Sequence, residues 1–141
     1  MDRQSRVLLQ FGVALFLVAA LLGLAVSHFT VPRLALSAHL VGLLQGMFLI
    51  VLGLLWPKLN LGPTQAKVAF WLVIYQSLVA PAANLLGAAW GAGNSIVPIA
   101  AGAAHGTAVQ EAVINIGLRS AGGALVVSLV LILCGLRHAK A

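Results

Sequence analysis

The chain has 141 residues, 62% of them apolar and 7% charged, with a mean hydropathy of +1.09. Soluble domains carry about 25% charged residues, so this composition excludes a fold that covers itself with a hydrated surface. Eight Lys and Arg against two acids, Asp2 and Glu111, give a net charge of +6. The cations flank apolar runs rather than interleaving with aromatics, which excludes a nucleic-acid interface and points to a lipid bilayer as the partner.

Four apolar stretches follow in chain order: about Val7 to His28, Leu34 to Trp56, Ala66 to Trp90 and Thr107 to Leu136. Each exceeds the roughly 20 residues that a helix needs to cross a hydrocarbon core of about 30 Å. Lipid offers backbone groups no partner, so the spans must be helical. The expected fold is all-α, a single four-helix integral membrane bundle over residues 1–141 with sequential spans antiparallel. The charged start, Met1 to Arg6, precedes a run too long for the roughly 7–15-residue core of a cleaved signal, so that run reads as the first span. Short separators rich in breakers divide the spans: Thr30 to Arg33, Pro57 to Thr64 and Gly91 to Gly106. Neither an internal repeat nor a linker to a second domain interrupts them.

Cations near the span ends predict orientation. Arg3, Arg6, Lys58, Lys67, Arg137 and Lys140 fall on one side and Arg33 alone on the other. That asymmetry places both termini in the cytoplasm, which for a prokaryote makes this an inner-membrane protein. Trp56 and Trp90 suit interfacial anchors.

Polar residues inside spans are costly and often functional. His39 lies in the second span within Leu36-Ser37-Ala38-His39-Leu40-Val41-Gly42-Leu43-Leu44-Gln45-Gly46. Taken alone, such a histidine suits a helix–helix hydrogen bond better than a metal site. Gln45 is six positions on, about 600° around the helix, so the two occupy different faces. Gly42 and Gly46 form a small-xxx-small step for close helix approach, within or between subunits. In the third span, Pro81 frees the Ser77 carbonyl, and Gln76 and Asn84 lie within about 80° of each other. Their amides either line a polar cavity or tie helices together. Glu111, Asn115, Arg119 and Gly122 form one stripe on the fourth span, either a structural seam or a catalytic one. Glu111 and Arg119, about 12 Å apart along the axis, are too distant to pair directly. Cys134 stands alone, which excludes an intrachain disulfide and a CxxC metal site. P-loop, GxSxG and HExxH motifs are absent, as is an acid in the first span of the kind used by small proton-coupled exporters.

The stretch from Leu36 to Gly46, followed by Gly53-Leu54-Leu55-Trp56-Pro57, resembles the hydroxylaminobenzene mutase family. So do Ala88-Ala89-Trp90-Gly91-Ala92-Gly93, Pro98-Ile99-Ala100-Ala101-Gly102 and Gly106-Thr107-Ala108-Val109-Gln110-Glu111. More distantly, Ala38-His39, Gly42 and Gln45-Gly46 are similar to the pattern of styrene oxide isomerases, four-helix membrane enzymes that assemble as trimers with haem b between subunits. The resemblance implies that His39 ligates haem iron. It also implies that Gln45 and Asn84, standing where those isomerases have an asparagine and a tyrosine, face the substrate over the haem. Conservation of the histidine with change at the other two positions implies a shared cofactor and a different substrate. The implied activity is intramolecular hydroxyl transfer on an aromatic hydroxylamine, with ferric haem b as Lewis acid, giving a 2-aminophenol. Arg33 and Arg119 suit haem propionates on charge grounds.

Two other readings compete. A haem electron carrier with two axial histidines needs His28 or His105 opposite His39, and both lie close to the links. A non-enzymatic membrane subunit or small transporter would use His39 as packing glue.

Overall fold

A computed structural model describes residues 2–137, and Met1, His138 and Lys140 lie outside the described residues. Asp2 caps the first helix, α1 (Arg3–Gly23), by accepting the Ser5 backbone N–H at 2.7 Å. Helix α2 (Pro32–Leu55) and helix α3 (Pro63–Trp90) both begin with proline, whose missing N–H is harmless in a first turn. Helix α3 runs unbroken through Pro81 and stops at Gly91, whose φ of +67° is the left-handed cap that glycine adopts freely. A single-turn helix, α4 (Pro98–Ala101), interrupts the long link before α5 (Ala108–Arg137). Strands are absent among the described residues.

The first helix is shorter than the apolar run suggests. It ends at Gly23, and Val26–His28 form a 3-10 turn instead of a last helical turn. The Leu24 N–H reaches back to the Leu21 and Leu22 carbonyls, tightening the helix end. This delivers the chain into α2 across a short link. The other spans match the expected ones to within three residues at each end, since α3 starts at Pro63 rather than Ala66.

Packing follows chain order: α1 on α2, α2 on α3, α3 on α5, each pair antiparallel. The α1–α2 seam is a close backbone approach. A Cβ on Gly12 would lie 2.8 Å from the Gly46 carbonyl oxygen, and one on Gly46 would lie 2.8 Å from the Phe16 nitrogen. Gly42 leaves room for Ala19, and the Ser5 hydroxyl donates to the Gly53 carbonyl at 2.6 Å. The small-xxx-small step therefore serves packing within one chain. At the end carrying both termini, Leu8, Leu49, Trp56, Phe70 and Ile132 join all four long helices in one apolar cluster. At the opposite end Leu34, Ala35, Ala88 and Ala101 form a second.

All four long helices are apolar and long enough to cross a membrane. In α1 only 17% of the most apolar window is buried, against 50% in α3. The exposed remainder of α1, including Val13, Leu17, Val18 and Leu21, needs lipid or another protein against it. The chain is a multi-pass membrane protein.

Candidate active site

His39 projects from α2 into the seam with α1, where its Nδ1 lies 2.7 Å from the Ala19 carbonyl oxygen. A carbonyl only accepts, so this contact puts the proton on Nδ1 and the lone pair on Nε2. Ring nitrogens that bind metals are commonly fixed in this way, by a hydrogen bond from the other nitrogen to a carbonyl or carboxylate. The ring lies over Gly23, where a Cβ would approach Cε1 to 2.6 Å and Nδ1 to 2.8 Å. Glycine at position 23 is thus a condition of the imidazole's placement. The ring is half-buried, with Leu36 and Leu40 exposed on the same helix.

An apolar groove of about 590 Å³ runs along the outer α1–α2 face, lined by Val13, Phe16, Leu17, Ala20, Met47 and Ile50. His39, Met47 and Ile50 fall at i, i+8 and i+11, one stripe of α2, so the groove and the histidine share a face. A flat, mostly apolar prosthetic group needs one neutral nitrogen donor beside apolar walls. These residues supply both.

Gln45 and Asn84 belong to the α2–α3 seam instead. The Gln45 side-chain oxygen accepts from Gln76 Nε2 at 3.0 Å and from the Ser77 hydroxyl at 3.1 Å, and Gln76 Nε2 also donates to Ser77 Oγ at 2.8 Å. Gln76 and Ser77 are fully buried while Gln45 is half-buried. Asn84 is buried and donates to the Ala80 carbonyl of its own helix at 3.0 Å. Pro81 faces Gly42 across this seam. Within one chain the structure therefore brings Gln45 together with Gln76 and Ser77, and it does not bring Gln45 to His39.

Glu111 does not act along a stripe with Asn115 and Arg119. Its carboxylate turns back into the α3–α5 link and accepts from the backbone N–H groups of Gly93 (2.9 Å), Asn94 (3.4 Å), Ser95 (3.1 Å) and Gly106 (3.1 Å). A link turned by Gly91, Gly93 and Gly102, all at positive φ, leaves these donors unpaired by secondary structure. The carboxylate meets that demand, so the role is structural. Asn115 reaches Ser95 Oγ at 3.5 Å. Arg33 and Arg119 are both exposed, the first at the start of α2 and the second on α5. His28 lies in the 3-10 turn after α1 and His105 in the link before α5, both exposed. Among the described residues no group of three or more His, Cys, Asp or Glu side chains gathers to hold a metal ion.

Sequence reasoning missed Ala19 and Gly23, the two positions that fix the imidazole. A backbone acceptor has no side-chain signature. The glycine's only signal is its place about one helical register from His39 in an antiparallel hairpin of known link length.

The sequence profile of the styrene oxide isomerase family matches residues 4–137. The chain is 46% identical over 137 residues to hydroxylaminobenzene mutase HabB of Ectopseudomonas oleovorans, covering 97% of this chain and 84% of that protein. It is 37% identical over 125 residues to hydroxylaminobenzene mutase HabA of the same organism, covering 89% and 93% respectively. No solved structure matches the chain significantly.

Proposed function

The chain belongs to the styrene oxide isomerase family, and from that premise we propose that it rearranges hydroxylaminobenzene-type aromatic hydroxylamines to 2-aminophenols. That it is an isomerase follows from its relatives. The substrate, the cofactor and the site residues are our reading. The observation that carries it is His39, its Nδ1 held by Ala19 and its ring seated on Gly23 in the α1–α2 seam, the helix pair that also carries the apolar groove.

The proposed cofactor is ferric haem b, which His39 Nε2 would ligate, with Arg33 or Arg119 pairing with its propionates. When bound, it would supply Lewis-acid chemistry. Substrate and product are isomers, so no external oxidant or reductant enters. The N–O bond breaks, a C–O bond forms at the ortho carbon, and that carbon's proton is lost while nitrogen gains one. The Ala19 carbonyl, accepting from Nδ1, keeps the imidazole in the ligating tautomer. Leu36, Leu40 and the groove walls exclude water, so the migrating hydroxyl adds to the ring rather than exchanging with solvent.

Gln45 and Asn84 orient the nitrogen and oxygen of the substrate in this scheme. Gln45 is the better placed, since its amide nitrogen is left to donate while Gln76 and Ser77 hold its oxygen. Because His39 and Gln45 face different helices, a complete site takes the histidine face of one copy and the α2–α3 face of the next. Such a heterologous contact closes into a ring, and a homotrimer with the haem between subunits is the proposed assembly. The aromatic substrate enters from the bilayer. Both termini face the cytoplasm, and in a prokaryotic cell the membrane is the inner one.

The test is His39→Ala, purified in mild detergent and assayed for haem per chain and for 2-aminophenol formation from hydroxylaminobenzene. The expected result is loss of both with helical content retained. A variant that kept stoichiometric haem and full turnover would overturn the proposal. A low-spin six-coordinate spectrum of the wild-type protein would favour electron transfer by a second histidine instead.

A further inference from the structure

Arg119 is a cation on the outer side of α5, well inside the span, and among the described residues no acidic side chain meets it. Its neighbour Ser120 hydrogen-bonds to the Tyr75 hydroxyl at 2.8 Å, and Tyr75 lies near the centre of α3. Along α5, Arg119 is about 17 Å from Ala108 and about 27 Å from Arg137 at 1.5 Å per residue, well inside the span. It is exposed on the outside of the chain. Ile116, one turn before it, is 68% exposed, and beside Gly122 and Gly123, one turn after, nothing lies within 4 Å of an added Cβ. The arginine therefore stands over an open notch.

An unpaired guanidinium at this depth is expensive, and intramembrane cations pair with an anion or line a polar cavity. The sequence holds two acidic side chains, Asp2 and Glu111. Asp2 caps α1 at the end carrying the termini, and Glu111 is engaged by four backbone N–H groups. A second copy of the chain brings the same two committed acids, so self-association alone does not neutralise Arg119. Lipid phosphates lie at the interfaces, not at mid-depth.

We propose that Arg119 is an anion site within the membrane that takes the carboxylate of a bound small molecule through its two-pronged guanidinium. The site itself does not depend on the mutase reading; naming its ligand sources does. One source is a carboxylate on the aromatic ring of the substrate, which would make hydroxylaminobenzoates substrates alongside hydroxylaminobenzene. The other is the propionate of the prosthetic group. The hydroxyl pair Tyr75–Ser120 beside it supplies neutral polar company for either.

Wild-type, Arg119→Gln and Arg119→Lys proteins, full-length in mild detergent, separate these sources. Thermal unfolding is followed with benzoate and with neutral benzamide, and haem per chain is read from the absorption spectrum. Stabilisation of the wild type by benzoate but not benzamide, weakened about tenfold or more in Arg119→Gln with haem unchanged, assigns the ring carboxylate. A comparable fall in haem affinity, smaller in Arg119→Lys, which keeps the charge but not the fork, assigns the propionate. If Arg119→Gln fails to fold, Arg119→Lys alone must show one of these losses. Benzoate response and haem content both independent of residue 119 would overturn the proposal. Absence of turnover on hydroxylaminobenzene in the wild type would count against the mutase and leave the anion site standing.

Discussion

Gly23→Ala is the sharpest probe of the histidine's environment. The added Cβ would meet His39 Cε1 at 2.6 Å and Nδ1 at 2.8 Å, nearer than any real Cβ contact, so the ring must swing away. Swinging breaks the 2.7 Å bond from Nδ1 to the Ala19 carbonyl. Interhelical side-chain hydrogen bonds in membrane proteins are worth about 0.6 kcal/mol on average and up to about 1.7. Losing the partner of a ligating histidine typically weakens metal affinity about 10–100-fold, or about 1.4–2.7 kcal/mol. The two estimates overlap near tenfold, and that is the expected fall in affinity for haem, measured by titrating protein freed of the cofactor. Thermal stability without cofactor should fall by no more than the hydrogen bond, about 1–2 kcal/mol. Gly62→Ala is the matched control, because its added Cβ meets only Gln65 Oε1, at 3.6 Å. Equal haem affinities in Gly23→Ala, Gly62→Ala and wild type would refute the claim that glycine at 23 and the Ala19 carbonyl seat a ligating imidazole.

Glu111→Gln keeps one acceptor oxygen and turns the other into a donor facing the Ser95 N–H. Stability should drop by about 1–3 kcal/mol, read as a lower unfolding midpoint and faster proteolysis between residues 91 and 107, with no direct effect on the chemistry. Gly46→Val forces side-chain atoms onto the α1 backbone, within 2.8 Å of the Phe16 nitrogen, and should destabilise by about 1–3 kcal/mol or more; an unchanged midpoint in detergent would contradict the close α1–α2 seam. Gln45→Leu leaves Gln76 and Ser77 without their shared acceptor, so stability falls modestly. On the proposed mechanism it also lowers kcat about tenfold or more with haem retained, a split that a purely structural role would not produce.

The spans were legible because lipid leaves so little choice: a long apolar run with breakers at its ends has one solution, a helix. What composition hides is where a helix stops inside an apolar run. Leu24, Ala25 and Val26 are as hydrophobic as the residues before them, yet the helix stops at Gly23 and a 3-10 turn takes Val26–His28. His39 stood out as a lone polar side chain, but its acceptor is a main-chain carbonyl and its platform is a missing side chain, and neither is written as a motif. The stripe of Glu111, Asn115 and Arg119 was real as helical geometry and misleading as chemistry. Glu111 answers to the unpaired N–H groups of a glycine-turned link, a demand that depends on three-dimensional path rather than spacing. Gln45 and Asn84 were recognised as polar residues of buried helices; that Gln45 joins Gln76 and Ser77 follows from the α2–α3 register, which Gly42 and Pro81 set by contact.

Lipid makes unsatisfied polar atoms expensive, and that sorts the polar residues of this chain into two groups. Ser5 with Gly53, Gln45 with Gln76 and Ser77, and Glu111 with its four N–H groups are closed within one chain. Of these, the Gln45 amide nitrogen alone is left to donate to a further group. The lone pair on His39 Nε2 and the guanidinium of Arg119 are open, and they stand on exposed parts of the α1–α2 hairpin and of α5. An open donor and an open cation at membrane depth, on a chain with no spare acid, are each answered by one kind of molecule: a largely apolar body that accepts a nitrogen ligand or carries a carboxylate. On the proposed mechanism the interior of this protein is largely a scaffold, and the chemistry belongs on the outer faces, where a second body completes it.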